Sequence, residues 1–99
     1  MADSIEISIV SPVYGAASAL PELIKRIHQT VRQITENFEI ILVEDNSPDN
    51  SWEVIKGLSV SDDKILGISL SRNFGQQYAL NAGFDKARGN WIVTMDCDL

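Results

Sequence analysis

Two carboxylates near the end of the sequence are the side chains best suited to chemistry. Asp96 and Asp98 follow an apolar run, residues 91–95, that is typical of a buried β-strand. Residues two apart in an extended chain point to the same side, so both carboxylates can converge on one cation while Cys97 points away. Hard oxygen ligands with open coordination positions suit Mg²⁺ or Mn²⁺ that also carries substrate phosphates. The spacing therefore predicts a metal-dependent phosphate site.

The composition narrows the possible partners. The net charge of -6 argues against nucleic acid, because binding nucleic acid requires clustered Lys and Arg. A diphosphate is repelled by an acidic site unless a divalent metal lies between them, so the metal supplies the positive charge that the sequence lacks. No apolar run approaches the roughly 20 residues needed to cross a bilayer. A single cysteine excludes an internal disulfide and fits a reducing compartment, so we expect a cytoplasmic protein.

Strand-like and helical patterns alternate along the chain, which predicts βαβ units and a parallel sheet. The strand-like runs are 5–10, 38–43, 65–70 and 91–95, and the helical runs are 20–34, one that begins at 49–51, and about 75–87. Right-handed crossovers favour strand order 3-2-1-4, with the winding reversing between strands 1 and 4. The expected fold class is one α/β domain over residues 1–99, a Rossmann-like three-layer α/β/α sheet that binds its ligand beyond the carboxyl ends of the strands.

Polar motifs follow strands 1, 2 and 4 at this predicted edge. After strand 1, Pro12 and Tyr14 can form a wall for a nucleobase, and a packed βα turn is the alternative. After strand 2, Asp45 can accept hydrogen bonds from a ribose or a base N–H, and an ordinary Asx-rich turn is the alternative. The adjacent carboxylates Glu44 and Asp45 repel each other, and a turn does not need both. The convergence of these motifs predicts a nucleotide site.

A further polar segment, residues 72–77, follows strand 3 and opens the third helix. Arg72 and the N–H groups at the start of that helix are the groups expected to attract a phosphate. The alternative is that Asn73 only caps the helix while Arg72 lies in solvent. Two other side chains have no expected role in the site: His28 should lie on the surface and Cys97 should face the core.

Four segments, in this order, resemble a known family. They are IVSPVY at 9–14, VEDNS at 43–47, RNFGQQ at 72–77 and MDCDL at 95–99. Together they are similar to the inverting family 2 glycosyltransferases of the GT-A fold, and among these to the polyprenyl-phosphate (dolichol- or undecaprenyl-phosphate) sugar transferases. Two positions depart from the family's pattern: Gly15 and Ala16 stand where Asn-Glu is frequent, and Glu44 replaces a common Asp.

The resemblance implies a role for each matching residue. Pro12 and Tyr14 would line the nucleotide pocket, and Asp45 would contact the base. Asp96 and Asp98 would form the family's D-x-D motif, which holds Mg²⁺ or Mn²⁺ on the diphosphate. With Arg72 as the phosphate attractor, the expected nucleotide-binding set is Pro12, Tyr14, Asp45, Arg72 and Asp96, and the expected metal ligands are Asp96 and Asp98.

The resemblance also implies what the parent enzyme does. It would transfer a sugar from a nucleotide-diphosphate sugar to a lipid phosphate or a growing glycan, with inversion, at the cytoplasmic face of the membrane. Residues 1–99 would be its donor-binding half, truncated just after the D-x-D motif, with the general base beyond Leu99 and no catalytic residue inside. The exposed edge of the fourth strand would favour a homodimer or aggregation.

Other classes of protein remain as alternatives. A haloacid-dehalogenase-like phosphatase also carries D-x-D after a strand and would use Asp96 as its nucleophile, although there the motif closes the first strand. A receiver domain carries its acids after the first strand rather than the second. A dinucleotide-binding dehydrogenase is disfavoured because Gly15 stands alone where three spaced glycines are needed. The fourth alternative is a non-catalytic nucleotide-binding module.

Overall fold

The structure, a computed structural model, describes residues 4–97. In this part of the chain four strands alternate with three helices. The elements are β1 (Ile7–Val13), α1 (Leu20–Val31), β2 (Phe38–Glu44), α2 (Ser51–Ser61), β3 (Ile65–Ser69), α3 (Gln76–Lys86) and β4 (Trp91–Thr94). No helix within residues 4–97 is long and apolar enough to span a membrane.

The four strands form one parallel sheet in the order β3-β2-β1-β4, as the sequence predicts. In the central register, Val10 of β1 lies opposite Ile41 of β2 and Thr94 of β4. All seven residues of β2 are buried, because this strand has neighbours on both sides and helices on both faces. The predicted α/β class and strand order are therefore confirmed.

The helices lie on opposite faces of the sheet and create two apolar clusters. The larger one joins the apolar stripe of α1 and Ile55 of α2 to β1 and β2. The stripe consists of Leu20, Leu23, Ile24, Ile27 and Val31. The smaller cluster packs Ala79 of α3 against the other face. There Gly83 allows close approach, because a Cβ at this position would overlap the side chain of Val10 and come within 3.3 Å of Val43.

At the amino-terminal end of the sheet, a buried carboxylate connects three segments. Glu39 accepts hydrogen bonds from the Ser8 hydroxyl at 2.6 Å and from the Arg88 backbone N–H at 2.8 Å. Its other oxygen accepts from the Arg88 guanidinium, and the Gly89 N–H donates to the Ser8 hydroxyl. Burial alone would raise the pKa of Glu39, but the bonds from Ser8 and Arg88 outweigh it and hold the pKa below its ordinary value. This network fixes the connection from α3 to β4.

The outer strand β4 keeps its side chains exposed. Trp91 is 71% exposed, Ile92 46% and Val93 42%. This apolar edge is the feature behind the predicted homodimer, and the dimer itself stays a prediction.

Three local expectations were wrong. β1 extends through Pro12 to Val13, since its last three residues pair with β2. α1 ends at Val31, and Ile34, which fits the helical spacing, is 71% exposed in the following turn. His28 is not a surface residue: its side chain is 19% exposed, and its Nε2 lies 2.6 Å from Asp62 Oδ2.

Candidate functional site

A cavity of about 510 Å³ lies at the carboxyl ends of β1 and β2, beside the segment that follows β4. Its wall consists of Pro12, Val13, Tyr14, Gly15, Ala16, Asp45, Asn73, Gly75, Gln76, Asp96 and Cys97. The volume falls in the range of roughly 300–1,000 Å³ that is typical of small-molecule sites. The cavity lies where the winding of the sheet reverses between β1 and β4, which is where ligands bind in open α/β sheets.

Unequal strand lengths create one wall of this cavity. The Met95 N–H donates to the Val10 carbonyl at 3.1 Å, at the end of the pairing between β4 and β1. β1 runs on to Val13 and so carries Pro12 beyond the paired part of β4. The chain then turns at Gly15, whose φ of +66° suits glycine. Tyr14, next to this turn, is 53% exposed at the cavity.

Asp45 is both a wall of the cavity and an anchor for the connection between β3 and α3. It is 4% exposed, and its own N–H donates to the Val13 carbonyl at 3.0 Å. Its Oδ1 accepts from the Phe74 N–H at 2.9 Å, and its Oδ2 accepts from the Gly75 N–H at 3.0 Å. An ionised carboxylate has about four acceptor positions, so Asp45 keeps capacity to accept a bond from a ligand.

Glu44 forms a local contact that the sequence did not indicate. Its carboxylate accepts from the Asn46 N–H at 2.9 Å and from the Ser47 N–H at 2.6 Å and hydroxyl at 2.7 Å. Glu44 and Asp45 have separate sets of donors, and no donor is shared between the two carboxylates. Glu44 accepts the hydrogen bonds of the turn after β2, and Asp45 accepts those of the β3–α3 connection.

The turn before α2 contains a third carboxylate. Asp49 accepts from the Ser47 hydroxyl, whose one proton it shares with Glu44, and from the Ser51 hydroxyl, each at 2.6 Å; these bonds lower the pKa of Asp49 to about 2. The Ala17 N–H also donates to Asp49, at 3.3 Å. Asp49 therefore joins the turn after β2 to the segment after β1, and both segments border the cavity.

The structure brings together four of the five predicted nucleotide-binding residues. Pro12, Tyr14, Asp45 and Asp96 all line the cavity. Arg72 is exposed and does not line it; its guanidinium lies over the Phe74 ring, 4.8 Å from the centroid. The alternative in which Asn73 caps α3 was also wrong, because Gly75 occupies the N-cap without a side-chain cap bond.

Only Asp96 of the two predicted metal ligands lies among the described residues. Asp96 is exposed at the cavity, and Cys97 is buried in the larger apolar cluster, as expected. Asp98, the second predicted ligand, lies outside the described residues. Within residues 4–97, no three His, Cys, Asp or Glu side chains form a group that could hold a metal ion. The carboxylate of Asp96 is a donor of the kind that Mg²⁺ and Mn²⁺ prefer.

Gln76 is a cavity residue that the sequence did not single out. It is the first residue of α3 and lines the cavity beside Asp96. In the sequence, segment 72–77 indicates Arg72 and the N–H groups at the start of the helix, but not the Gln76 side chain. The position after Gly75, at a strand-to-helix turn, was the available signal.

The fold and the cavity define the class of the protein: a Rossmann-like α/β domain with a cavity at the carboxyl edge of its sheet. The family model described as Glycosyl transferase family 2 matches residues 8–99. The chain belongs to glycosyl transferase family 2, which confirms the resemblance seen in the sequence.

Curated relatives carry related names. The chain is 40% identical over 94 residues to the undecaprenyl-phosphate 4-deoxy-4-formamido-L-arabinose transferase of Aeromonas hydrophila, covering 94% of this chain and 29% of that protein. It is 41% identical over 99 residues to the uncharacterized glycosyltransferase YkcC of Bacillus subtilis, covering all of this chain and 31% of the relative. The chain thus spans less than a third of the length of these relatives.

Solved structures share the fold. A mannosyltransferase from Pyrobaculum calidifontis, in complex with GDP-Man and Mn²⁺, superposes with a TM-score of 0.84 at 18% identity, covering 97% of this chain and 28% of that one. TarS of S. aureus, in complex with UDP, gives a TM-score of 0.81 at 22% identity, covering 95% of this chain and 28% of that one. Both likenesses confirm the α/β fold.

Proposed function

We propose that residues 1–99 form the donor-binding part of a glycosyltransferase that moves a sugar from a nucleotide-diphosphate sugar to a lipid phosphate or a growing glycan, with inversion. The observation that carries the proposal is the cavity at the switch point, where Pro12, Tyr14, Asp45 and Asp96 meet. Family membership supports the transfer reaction, and the name of the Aeromonas relative supports a polyprenyl-phosphate acceptor.

Each side chain in the cavity has a proposed task. Pro12 and Tyr14 form a wall against the nucleobase, and Asp45 accepts a hydrogen bond from the base or ribose with the capacity left after it binds its two backbone N–H groups. Arg72, one residue before the cavity residue Asn73, approaches the phosphates from the rim. The positions of Pro12, Tyr14 and Asp45 in the cavity wall support their tasks, and the task of Arg72 rests on its charge and its place in the sequence.

Asp96 and Asp98 are the proposed ligands of Mg²⁺ or Mn²⁺. Within the described part of the chain, no Lys or Arg lines the cavity, and the single charge of Arg72, outside its wall, does not balance a diphosphate. The bound metal would supply that charge and stabilise the departing nucleoside diphosphate. The Mn²⁺ in the Pyrobaculum structure supports this choice.

The remaining steps belong to segments outside these residues. We place the general base there and propose no catalytic residue within residues 1–99. A lipid-phosphate acceptor is already anionic, so its attack on the anomeric carbon depends less on a base than the attack of a sugar hydroxyl. Such an acceptor would place the whole enzyme at the cytoplasmic face of a membrane.

Titration calorimetry with UDP and GDP tests the proposal. We expect binding with Mn²⁺ or Mg²⁺ present and none with EDTA. Asp98→Asn should weaken metal-dependent binding at least tenfold, which corresponds to a loss of about 1.4 kcal/mol of binding free energy. The matched control Asp63→Asn changes an exposed carboxylate away from the cavity and should leave affinity unchanged. Equal affinity with metal and with EDTA would contradict the metal bridge, and sugar transfer by the 99 residues alone would contradict the placement of the base.

A further inference from the structure

A second, smaller cavity adjoins the first. Its volume is about 230 Å³, and it is lined by Pro12, Gln76, Leu80, Thr94, Met95 and Asp96. Three of these residues, Pro12, Gln76 and Asp96, also line the larger cavity. The two cavities therefore meet at these three side chains, between the start of α3 and the end of β4.

The junction is poor in hydrogen-bond donors. Among residues 4–97, no Lys or Arg lines either cavity. Asp96 is an acceptor when ionised, and Pro12 has neither a polar side chain nor a backbone N–H. The amide of Gln76 is thus the one side-chain N–H donor that these three residues offer to an anionic or hydroxylated ligand.

Hydrogen bonds hold the backbone just before Gln76 in place. The two residues before it, Phe74 and Gly75, donate their backbone N–H groups to the buried carboxylate of Asp45. Within the described chain, no hydrogen bond occupies the Gln76 amide. Its neighbour Gln77 differs: it lines neither cavity, and its Nε2 donates to Asn81 Oδ1 at 3.2 Å.

We propose that Gln76 is a ligand-binding residue whose amide donates to an oxygen of the ligand beyond its nucleoside, on the diphosphate or the attached sugar. This proposal rests on the proposed function. With the nucleoside beside Tyr14 and Asp45, the rest of the ligand passes Asp96 and reaches the junction of the two cavities. A neutral amide suits this place, because its NH₂ group can donate to a ligand oxygen without needing an ion-pair partner in the protein.

The chain offers a matched pair of variants, Gln76→Ala and Gln77→Ala. Both change a glutamine to alanine in the first turn of α3, and alanine favours a helix, so both proteins should fold. The probes are uridine and guanosine, their diphosphates, UDP-N-acetylglucosamine and GDP-mannose, each with Mn²⁺ for calorimetry and with Mg²⁺ for NMR. Gln76→Ala should weaken binding of the sugar nucleotides about tenfold, and binding of the diphosphates equally if the lost hydrogen bond is to a phosphate oxygen. Gln77→Ala should change both less than twofold, and neither variant should change binding of the nucleosides.

A direct readout uses the unmutated protein. In an ¹⁵N-labelled sample, the side-chain amide signals of Gln76 should shift on addition of the sugar nucleotide, while those of Gln77 stay in place. An effect already present with the diphosphates assigns the bond to a phosphate oxygen, and one seen only with the sugar nucleotides assigns it to a sugar oxygen.

Two failures are distinguishable. If the unmutated protein binds none of the nucleotides, the proposed function fails and this inference fails with it. If it binds them while Gln76→Ala behaves like Gln77→Ala and the Gln76 amide signals do not move, only the role of Gln76 is overturned.

Discussion

Replacement of Asp45 by asparagine should destabilise the domain well beyond the effect of an exposed Asp→Asn change. Asp45 is 4% exposed and accepts one backbone N–H on each carboxylate oxygen. Asparagine has one acceptor oxygen, and its NH₂ group would face the other N–H. Bonds to charged groups contribute about 1.5–3 kcal/mol each and neutral ones about 1 kcal/mol. Loss of one bond and weakening of the other therefore cost about 3 kcal/mol.

Thermal and urea unfolding followed by circular dichroism measure this loss. For a domain of this size, 1 kcal/mol corresponds to a shift in Tm of about 4–8 °C, so Asp45→Asn should melt about 12–24 °C lower. The control is Asp63→Asn, because Asp63 is exposed and its side chain makes no hydrogen bond with residues 4–97. Amide hydrogen exchange gives a local readout, since the N–H groups of Phe74 and Gly75 should lose protection in Asp45→Asn.

A Tm within about 3 °C of the unmutated protein, with unchanged exchange at Phe74 and Gly75, would refute the anchoring role. The same variant is a poor test of base contact, because displacing the β3–α3 connection would disturb the cavity in any case. The base preference of the unmutated protein, compared between uridine and guanosine ligands, avoids this problem.

Three further predictions concern stability and association. Gly83→Ala should lower the free energy of unfolding by about 1–3 kcal/mol, because the new methyl group overlaps the side chain of Val10. Gly57→Ala, in α2 with open space around it, should raise it by about 0.5–1 kcal/mol. Urea unfolding of both variants measures these changes. The low pKa of Glu39 gives stability that is present above its ordinary pKa of 4.5 and lost as pH falls through the folded pKa. Glu39→Gln should therefore lower the free energy of unfolding by about 2–3 kcal/mol at pH 7. Below pH 4.5 the free energy of unfolding should fall less steeply with pH in this variant than in the unmutated protein. Equal slopes against pH for the two proteins would contradict this. Val93→Lys should raise the monomer fraction measured by light scattering if β4 edges pair, and an unmutated protein that is monomeric at high concentration would contradict edge pairing.

The sequence predicted the sheet because its signals are local and periodic. Apolar strands alternate with helical spacing, and the handedness of the crossovers then leaves few strand orders. The same local reasoning misplaced the end of α1, since Ile34 fits the helical spacing but has no core to contact. His28 was misjudged because its partners, Phe38 and Asp62, come from other elements. Burial produced by distant segments is invisible in a local pattern.

The candidate site was predictable as a location but less so as a set of contacts. The order of the strands was enough to bring Pro12, Asp45 and Asp96 to one cavity. The hydrogen bonds that Asp45 accepts from the Phe74 and Gly75 N–H groups span 29 and 30 residues, and no spacing rule indicates them. Arg72 lies outside the cavity wall, and its guanidinium lies over the Phe74 ring, a contact that depends on the shape of the connecting segment.

The proline in β1 has a consequence for how this sheet can grow. In a parallel strand, the backbone N–H and C=O groups of every second residue point toward the same neighbouring strand. The Val10 carbonyl accepts from the Met95 N–H and so points toward β4. The next residue of β1 that points toward β4 is Pro12. Proline has no N–H to donate to the Met95 carbonyl, and the ladder between β1 and β4 cannot continue past this point. Pro12 thus acts as a terminator of strand pairing. The cleft between β1 and the segment after β4 therefore stays open. Neither β4 nor the exposed strand edge of another molecule can extend the pairing with β1 past Pro12.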